Sequence, residues 1–141
     1  MKSLIYIING PNLNLLGERE TNIYGNITLK DIEKECMKLC NSFNAELVFL
    51  QSNAEHQIID WIHQARETNC SIIINAAAFS HTSIAILDAL NTFEGKVVEV
   101  HLSNIKKREK FRHYSFISTR ADKIFMGEGL ISYLKAINFL F

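Results

Sequence analysis

At 141 residues with 48% hydrophobic content, the chain can build a packed core, which excludes a disordered or low-complexity class. Lys plus Arg and Asp plus Glu both number 15, so the formal net charge is zero; this argues against a general nucleic-acid binder and leaves room for a local anion site. The three cysteines, Cys36, Cys40 and Cys70, are odd in number and show no C-x-x-C spacing, so neither a disulfide framework nor a cysteine zinc site is suggested, and a reduced, cytoplasmic protein is the simplest reading.

The first apolar run, "SLIYII", is β-branched and compact, as a buried strand requires. "NGPN" stops it too early for a signal peptide or a membrane span. Residues 10–25, "GPNLNLLGERETNIYG", then fit no helix or strand of ordinary length. "TLKDIEKECMKLCNSF" reads as a helix in which Thr28 and Asp31 have capping-box spacing and Ile32, Cys36, Leu39, Cys40 and Phe43 share a face. "AELVFLQ" is a second strand. "NAEHQIIDWIHQARET" is a second helix, with Asn53 as its expected cap and Ile58, Ile59, Trp61, Ile62 and Ala65 turned inward. "SIIIN" and "SIAILDALNTF" follow as strand and helix, the latter capped by Thr82 or Ser83. "KVVEVH", "DKIFM" and "GLISYLKAINFLF" complete the series as strand, strand and helix.

Strands alternating with helices predict an α/β domain spanning residues 1–141. Five strands in this length suit a flavodoxin-like, doubly wound parallel sheet of order 2-1-3-4-5. Such sheets bind ligands beyond the carboxyl ends of their strands. Those ends carry Asn9, Gln51, Asn75 and His101, with Asn12, Asn14, Ser103 and Asn104 just beyond. Asn and Ser favour turns in any protein; their gathering at one edge is what points to a site.

Glu99 and His101 lie two apart in one strand, so their side chains share a face. A carboxylate there must be paired, and a Glu–His pair would fix the imidazole tautomer and favour its protonated form; a purely structural pair is the alternative. His81, in "SHTS", lies at the same edge, although alone it would read as a surface histidine. In "KKREKFRH", Arg108 and Arg112 are four apart and suit a carboxylate or phosphate, where the plainer reading is a solvated loop. The chain lacks a G-x-G-x-x-G, a Walker loop, a G-x-S-x-G elbow and a metal-ligand spacing. No lysine stands out as an imine former. Cofactor-free and metal-free acid–base chemistry on a small anion is what these residues suggest.

The segments "INGPNLNLLGERE", "IYG", "QSNAE", "IINAAAFSHTS", "EVHLSN" and "REKFRHYS", in order over residues 8–115, together resemble the type II 3-dehydroquinate dehydratases (type II dehydroquinases). The resemblance implies dehydration of 3-dehydroquinate to 3-dehydroshikimate in the shikimate pathway, by anti elimination through an enolate. It makes Tyr24 the base, His101 the acid and Arg19 the stabiliser of the tyrosinate and the transition state, with Asn12 helping to hold the water or donor that supports the enolate. Asn75, His81, Leu102, Ser103 and Arg112 would bind substrate, and Arg108 would be a lid or anion contact. Asp88 would reach a neighbouring subunit's site in a homododecamer built as a tetramer of trimers. Neither nucleic acid nor membrane enters this picture. The chain departs from many relatives at Ala76-Ala77-Ala78, Phe79 and Leu87.

A free tyrosine has a pKa of about 10, so as a base it needs help, and a nearby guanidinium favours the phenolate. Residues 10–25 therefore read as a catalytic lid, with Asn12 at its root, Arg19 and Tyr24 on its moving part and Gly17 and Gly25 as flexing points. The rival reading is a non-catalytic flavodoxin-like module that binds a small anion.

Overall fold

A computed structural model describes residues 2–141. Strands β1 (Ser3–Asn9), β2 (Ala45–Gln51), β3 (Cys70–Asn75), β4 (Val97–His101) and β5 (Lys123–Met126) form one parallel sheet of order 2-1-3-4-5. This is the flavodoxin-like arrangement expected from the alternation of elements. Strand order reverses between β1 and β3, where Asn9 lies in register with both Gln51 and Asn75. The switch point therefore falls where the polar strand ends gather.

The sheet is apolar on both faces, as a doubly covered parallel sheet must be. Ile5, Ile7, Ile73, Val98 and Val100 pack against helices α2 (Leu29–Ser42) and α5 (Leu130–Phe139). Tyr6, Ile8, Ile72, Ile74 and Val97 pack against α3 (Glu55–Arg66) and α4 (Ile84–Asn91). Burying each of the isoleucines contributes about 2 kcal/mol before entropy is counted. Period-two alternation in β4 puts Val98 and Val100 on the first face and sends Glu99 and His101 to the second.

Local chemistry sets the helix starts. Thr28 and Asp31 form the full capping box at the head of α2. Ser83, rather than Thr82, caps α4 by accepting from the Ile86 amide at 2.9 Å. The cap of α3 is Ala54, not Asn53. Asn53 is recruited elsewhere: its carboxamide oxygen accepts from the Asn12 amide at 2.9 Å. Within α2, Ile32, Cys36 and Cys40 are buried, while Phe43 lies past the last helical residue, where it turns outward and stacks on Phe141.

Two close approaches shape the working edge. The Gly10 amide donates to the Asn75 carbonyl at 2.8 Å, and a Cβ on Gly10 would lie 2.4 Å from the Ala76 carbonyl oxygen. Only glycine lets the chain leaving β1 cross so near the end of β3. Gln51, at the end of β2, donates to the Gly10 carbonyl at 3.1 Å and to the Asn53 side chain at 3.2 Å. The root of segment 10–25 is thus fastened to both neighbours of β1.

Candidate active site

The strand ends form a buried polar floor. Tyr133 of α5 donates its hydroxyl proton to Asn9 Oδ1 at 2.6 Å and accepts from Asn75 Nδ2 at 2.9 Å. Asn9 Nδ2 donates to the Leu50 carbonyl at 3.0 Å, and Asn75 Oδ1 accepts from the Ala77 amide at 3.2 Å. Burial pushes the Tyr133 phenol above the ordinary tyrosine range, against the opposing hydrogen bond from Asn75. It is a neutral strut that sets the direction of the Asn75 carboxamide.

Beside it stands the pair predicted from β4. His101 Nε2 lies 2.5 Å from Glu99 Oε2, and both residues are buried. Burial pushes Glu99 upward, but hydrogen bonds from His101, Ser115 and Ser118, together with the imidazolium charge, outweigh it and leave the carboxyl below its ordinary value. The carboxylate therefore acts as acceptor, so Nε2 donates its proton to it and Nδ1 is the nitrogen free for other work.

His81 donates from Nδ1 to the Tyr114 carbonyl at 2.8 Å, which leaves Nε2 unengaged. Its pKa is lowered, chiefly by burial, with His101 and Arg112 adding positive charge nearby and the Tyr114 carbonyl and Glu99 opposing. Arg112 pairs with Glu109 at 2.9 Å.

The other side of the site comes from segment 10–25. Asn12 has φ 69, in the left-handed region that asparagine tolerates, and its amide is held by Asn53. A short helix, α1 (Thr21–Tyr24), presents Tyr24 between two glycines of positive φ, Gly17 and Gly25. The guanidinium that reaches the Tyr24 hydroxyl belongs to Arg108, at 2.6 Å. Arg19 instead lies over the ring, 5.3 Å from its centroid, and pairs with Glu20 at 2.5 Å. Arg108 is in turn steadied through its backbone: His113 Nε2 donates to the Arg108 carbonyl at 2.8 Å, and Lys106 Nζ to the His113 carbonyl at 2.6 Å.

These parts enclose a cavity of about 110 Å³. Asn12, Arg19, Tyr24, Asn75, His81, His101, Leu102, Ser103, Arg108 and Arg112 all line it, so the fold brings these sequence-predicted residues to one place. Glu99 lies behind His101 and does not line the cavity. Asp88 is exposed on α4, also away from the cavity wall. Among the described residues no group of three or more His, Cys, Asp or Glu is placed to hold a metal ion. The enclosure is rich in donors and has one imidazole backed by a carboxylate and one phenol backed by a guanidinium. It suits proton transfer to and from a small, oxygen-rich anion.

Tyr133, Ser115 and Ser118 escaped the sequence reading. Tyr133 shares the buried face of its helix with Ala136 and Ile137, where a polar-tipped residue hints at a buried partner. Ser115 precedes and Ser118 lies within the short 3-10 helix Ile117–Thr119, and neither carries a local signal for a buried partner. The contact between Arg108 and Tyr24 spans 84 positions and has no local signal.

Residues 3–141 match the family described as Dehydroquinase class II. The chain is 54% identical over 138 residues to 3-dehydroquinate dehydratase 2 of Agrobacterium fabrum, covering 98% of this chain and 94% of that protein. It is 55% identical over 131 residues to the 3-dehydroquinate dehydratase of Streptomyces coelicolor, covering 92% and 83%. The crystal structure of type II dehydroquinase from Butyrivibrio crossotus superposes with a TM-score of 0.96 at 42% identity, covering 99% of this chain and 97% of that one.

Proposed function

The chain belongs to the class II dehydroquinases, a family of hydro-lyases, and from that membership we propose that it dehydrates 3-dehydroquinate to 3-dehydroshikimate through an enolate. Tyr24, as its phenolate, takes the proton beside the ketone. The electrons collect on the ketone oxygen as an enolate. They then return to expel the hydroxyl group, which His101 protonates as it leaves as water. Asn12 helps hold the water or donor that supports the enolate. Asn75, His81, Leu102, Ser103 and Arg112 orient the carboxylate and hydroxyl groups of the substrate.

The observation that carries this reading is the pairing across one small cavity. Tyr24 is hydrogen-bonded to Arg108 on one side, and His101 is hydrogen-bonded to Glu99 on the other. A guanidinium keeps its charge at neutral pH, so Arg108 sets a fixed cation and a hydrogen-bond donor against the Tyr24 oxygen. Arg19 adds a second cation over the ring face. Exclusion of water around the lid strengthens each of these interactions. A base and an acid held in different walls suit an anti elimination, in which proton and hydroxyl leave from opposite faces.

The reading also carries an assembly and a location. In a homododecamer built as a tetramer of trimers, exposed Asp88 would reach a neighbouring subunit's site. The setting is cytoplasmic and the pathway is aromatic amino acid biosynthesis. No helix among the described residues is long and apolar enough to cross a membrane.

The test is an ultraviolet assay with 3-dehydroquinate, whose product is a conjugated enone. It is run with EDTA and repeated after borohydride treatment in the presence of substrate. Turnover that survives both treatments is the expected result. No turnover by folded protein would refute the dehydratase assignment, and inactivation by borohydride would refute a mechanism without an imine.

A further inference from the structure

The segment Tyr114–Ser118 lies outside every strand and long helix, yet it holds both imidazoles of the cavity. The Tyr114 carbonyl accepts from His81. Ser115 donates to Glu99 Oε2 at 2.5 Å, and Ser118 donates to Glu99 Oε1. The Phe116 amide ties the same segment to the Ser80 carbonyl at 2.8 Å, one residue before His81. Glu99 is fully buried and Ser115 is 4% exposed, so the contact between them is shielded from solvent.

A buried carboxylate with a single partner is free to rotate about its last torsion and to take up a proton. Here each carboxylate oxygen has its own hydroxyl donor, and Oε2 also serves His101. That arrangement leaves one orientation for the carboxylate plane, and the plane fixes the imidazole that rests on it. We propose that Ser115 and Ser118 are positioning residues for the dehydration, clamping Glu99 so that the His101 imidazolium holds its Nε2 proton against the carboxylate and presents its Nδ1 proton to the departing hydroxyl. The inference rests on the reading of His101 as the acid.

The groups facing Glu99 support it. His101 approaches from its own strand and the two serines from segment 114–118. His81 approaches from the turn before α4, within range of Glu99, His101 and Arg112 alike. The hydroxyl donors help offset the burial that would otherwise favour a neutral Glu99. A neutral Glu99 could donate a proton as well as accept one, and it would no longer balance the imidazolium charge of His101 or fix which nitrogen faces the substrate.

The experiment is saturation kinetics with 3-dehydroquinate on Ser115→Ala, Ser118→Ala, their double variant, Glu99→Gln, and the triple variant. Each serine loss should lower kcat about tenfold and the double loss about a hundredfold, the size of hydrogen bonds to a charged group. KM should stay within about twofold, because neither serine touches substrate. The acid limb of the kcat profile should move to higher pH in the double variant, as Glu99 protonates more readily. Ser118→Thr, which keeps a hydroxyl at a half-buried position, should recover most of the rate lost in Ser118→Ala. On the Glu99→Gln background the two serine losses should cost less than about twofold further. A double variant with wild-type kcat would overturn the proposal. So would a hundredfold loss that persists on the Glu99→Gln background, which would make the serines merely structural. His101→Ala at the wild-type rate, or an inactive wild type, would instead remove the acid assignment itself and take the inference with it.

Discussion

The cavity has two walls of different construction. One is the carboxyl edge of the sheet, where Asn75, Glu99 and His101 are buried: Tyr133 holds Asn75, Ser115 and Ser118 hold Glu99, and Glu99 holds His101. The other is segment 10–25, where Arg19 and Tyr24 stand partly exposed on a loop bracketed by glycines. The first wall is part of the core and draws its precision from packing. The second gains its chemistry from a contact, Arg108 with Tyr24, that two loops make across the mouth. Substitutions in the first wall should therefore disturb both stability and activity, and those in the second should disturb activity alone.

The largest effect should come from the second wall. Tyr24→Phe should lower kcat about a thousandfold, the range of a lost general base, with thermal unfolding close to wild type. Steady-state assay and calorimetry on the same sample check both halves. His101→Ala should lower kcat about a hundredfold and also destabilise the fold by about 3 kcal/mol, because it strands the buried Glu99 carboxylate. If His101→Ala left stability untouched, the contrast between the walls would fail.

Two smaller changes separate stability from chemistry. Tyr133→Phe removes the hydroxyl that joins Asn9 to Asn75 and should cost about 2 kcal/mol in urea unfolding, with a modest rise in KM through a looser Asn75. Thr28→Ala, distant from the cavity, should cost about 1 kcal/mol and leave kcat unchanged.

The last prediction concerns acid. Glu99 has a folded-state pKa below its ordinary value of 4.5, so its contribution to stability is complete above that value and is lost as pH falls through the folded pKa. Glu99→Gln should therefore lose less stability than wild type between pH 4.5 and more acid conditions. Parallel slopes in the two proteins would contradict this.

Much of the first wall was legible in the sequence, because periodicity speaks directly to burial. The alternation of elements implied the sheet order, and the two-residue spacing of Glu99 and His101 put them on one face. What periodicity does not register is the long-range partner. Asn53 has the spacing of a helix cap, yet its carboxamide serves Asn12, because the root of segment 10–25 passes within reach of the end of β2. Tyr133, Ser115 and Ser118 reach the site from later in the chain, and only the folded sheet brings them to Asn75 and Glu99. The second wall was legible through resemblance alone: Tyr24 in a polar loop carries no pattern that distinguishes a base from a surface aromatic. The division of labour between Arg108 at the hydroxyl and Arg19 over the ring is likewise a matter of tertiary geometry.

The most direct test of a base in the lid and an acid on the sheet is hydrogen exchange at the reacting carbon. 3-Dehydroquinate deuterated beside the ketone is incubated with His101→Ala and with Tyr24→Phe, and loss of deuterium to water is followed by mass spectrometry alongside product formation. His101→Ala should wash out deuterium faster than it forms product, since the enolate still forms but the hydroxyl is not protonated as it leaves. Tyr24→Phe should do neither. Washout by Tyr24→Phe at the wild-type rate would contradict the account, because proton removal would then belong to another group.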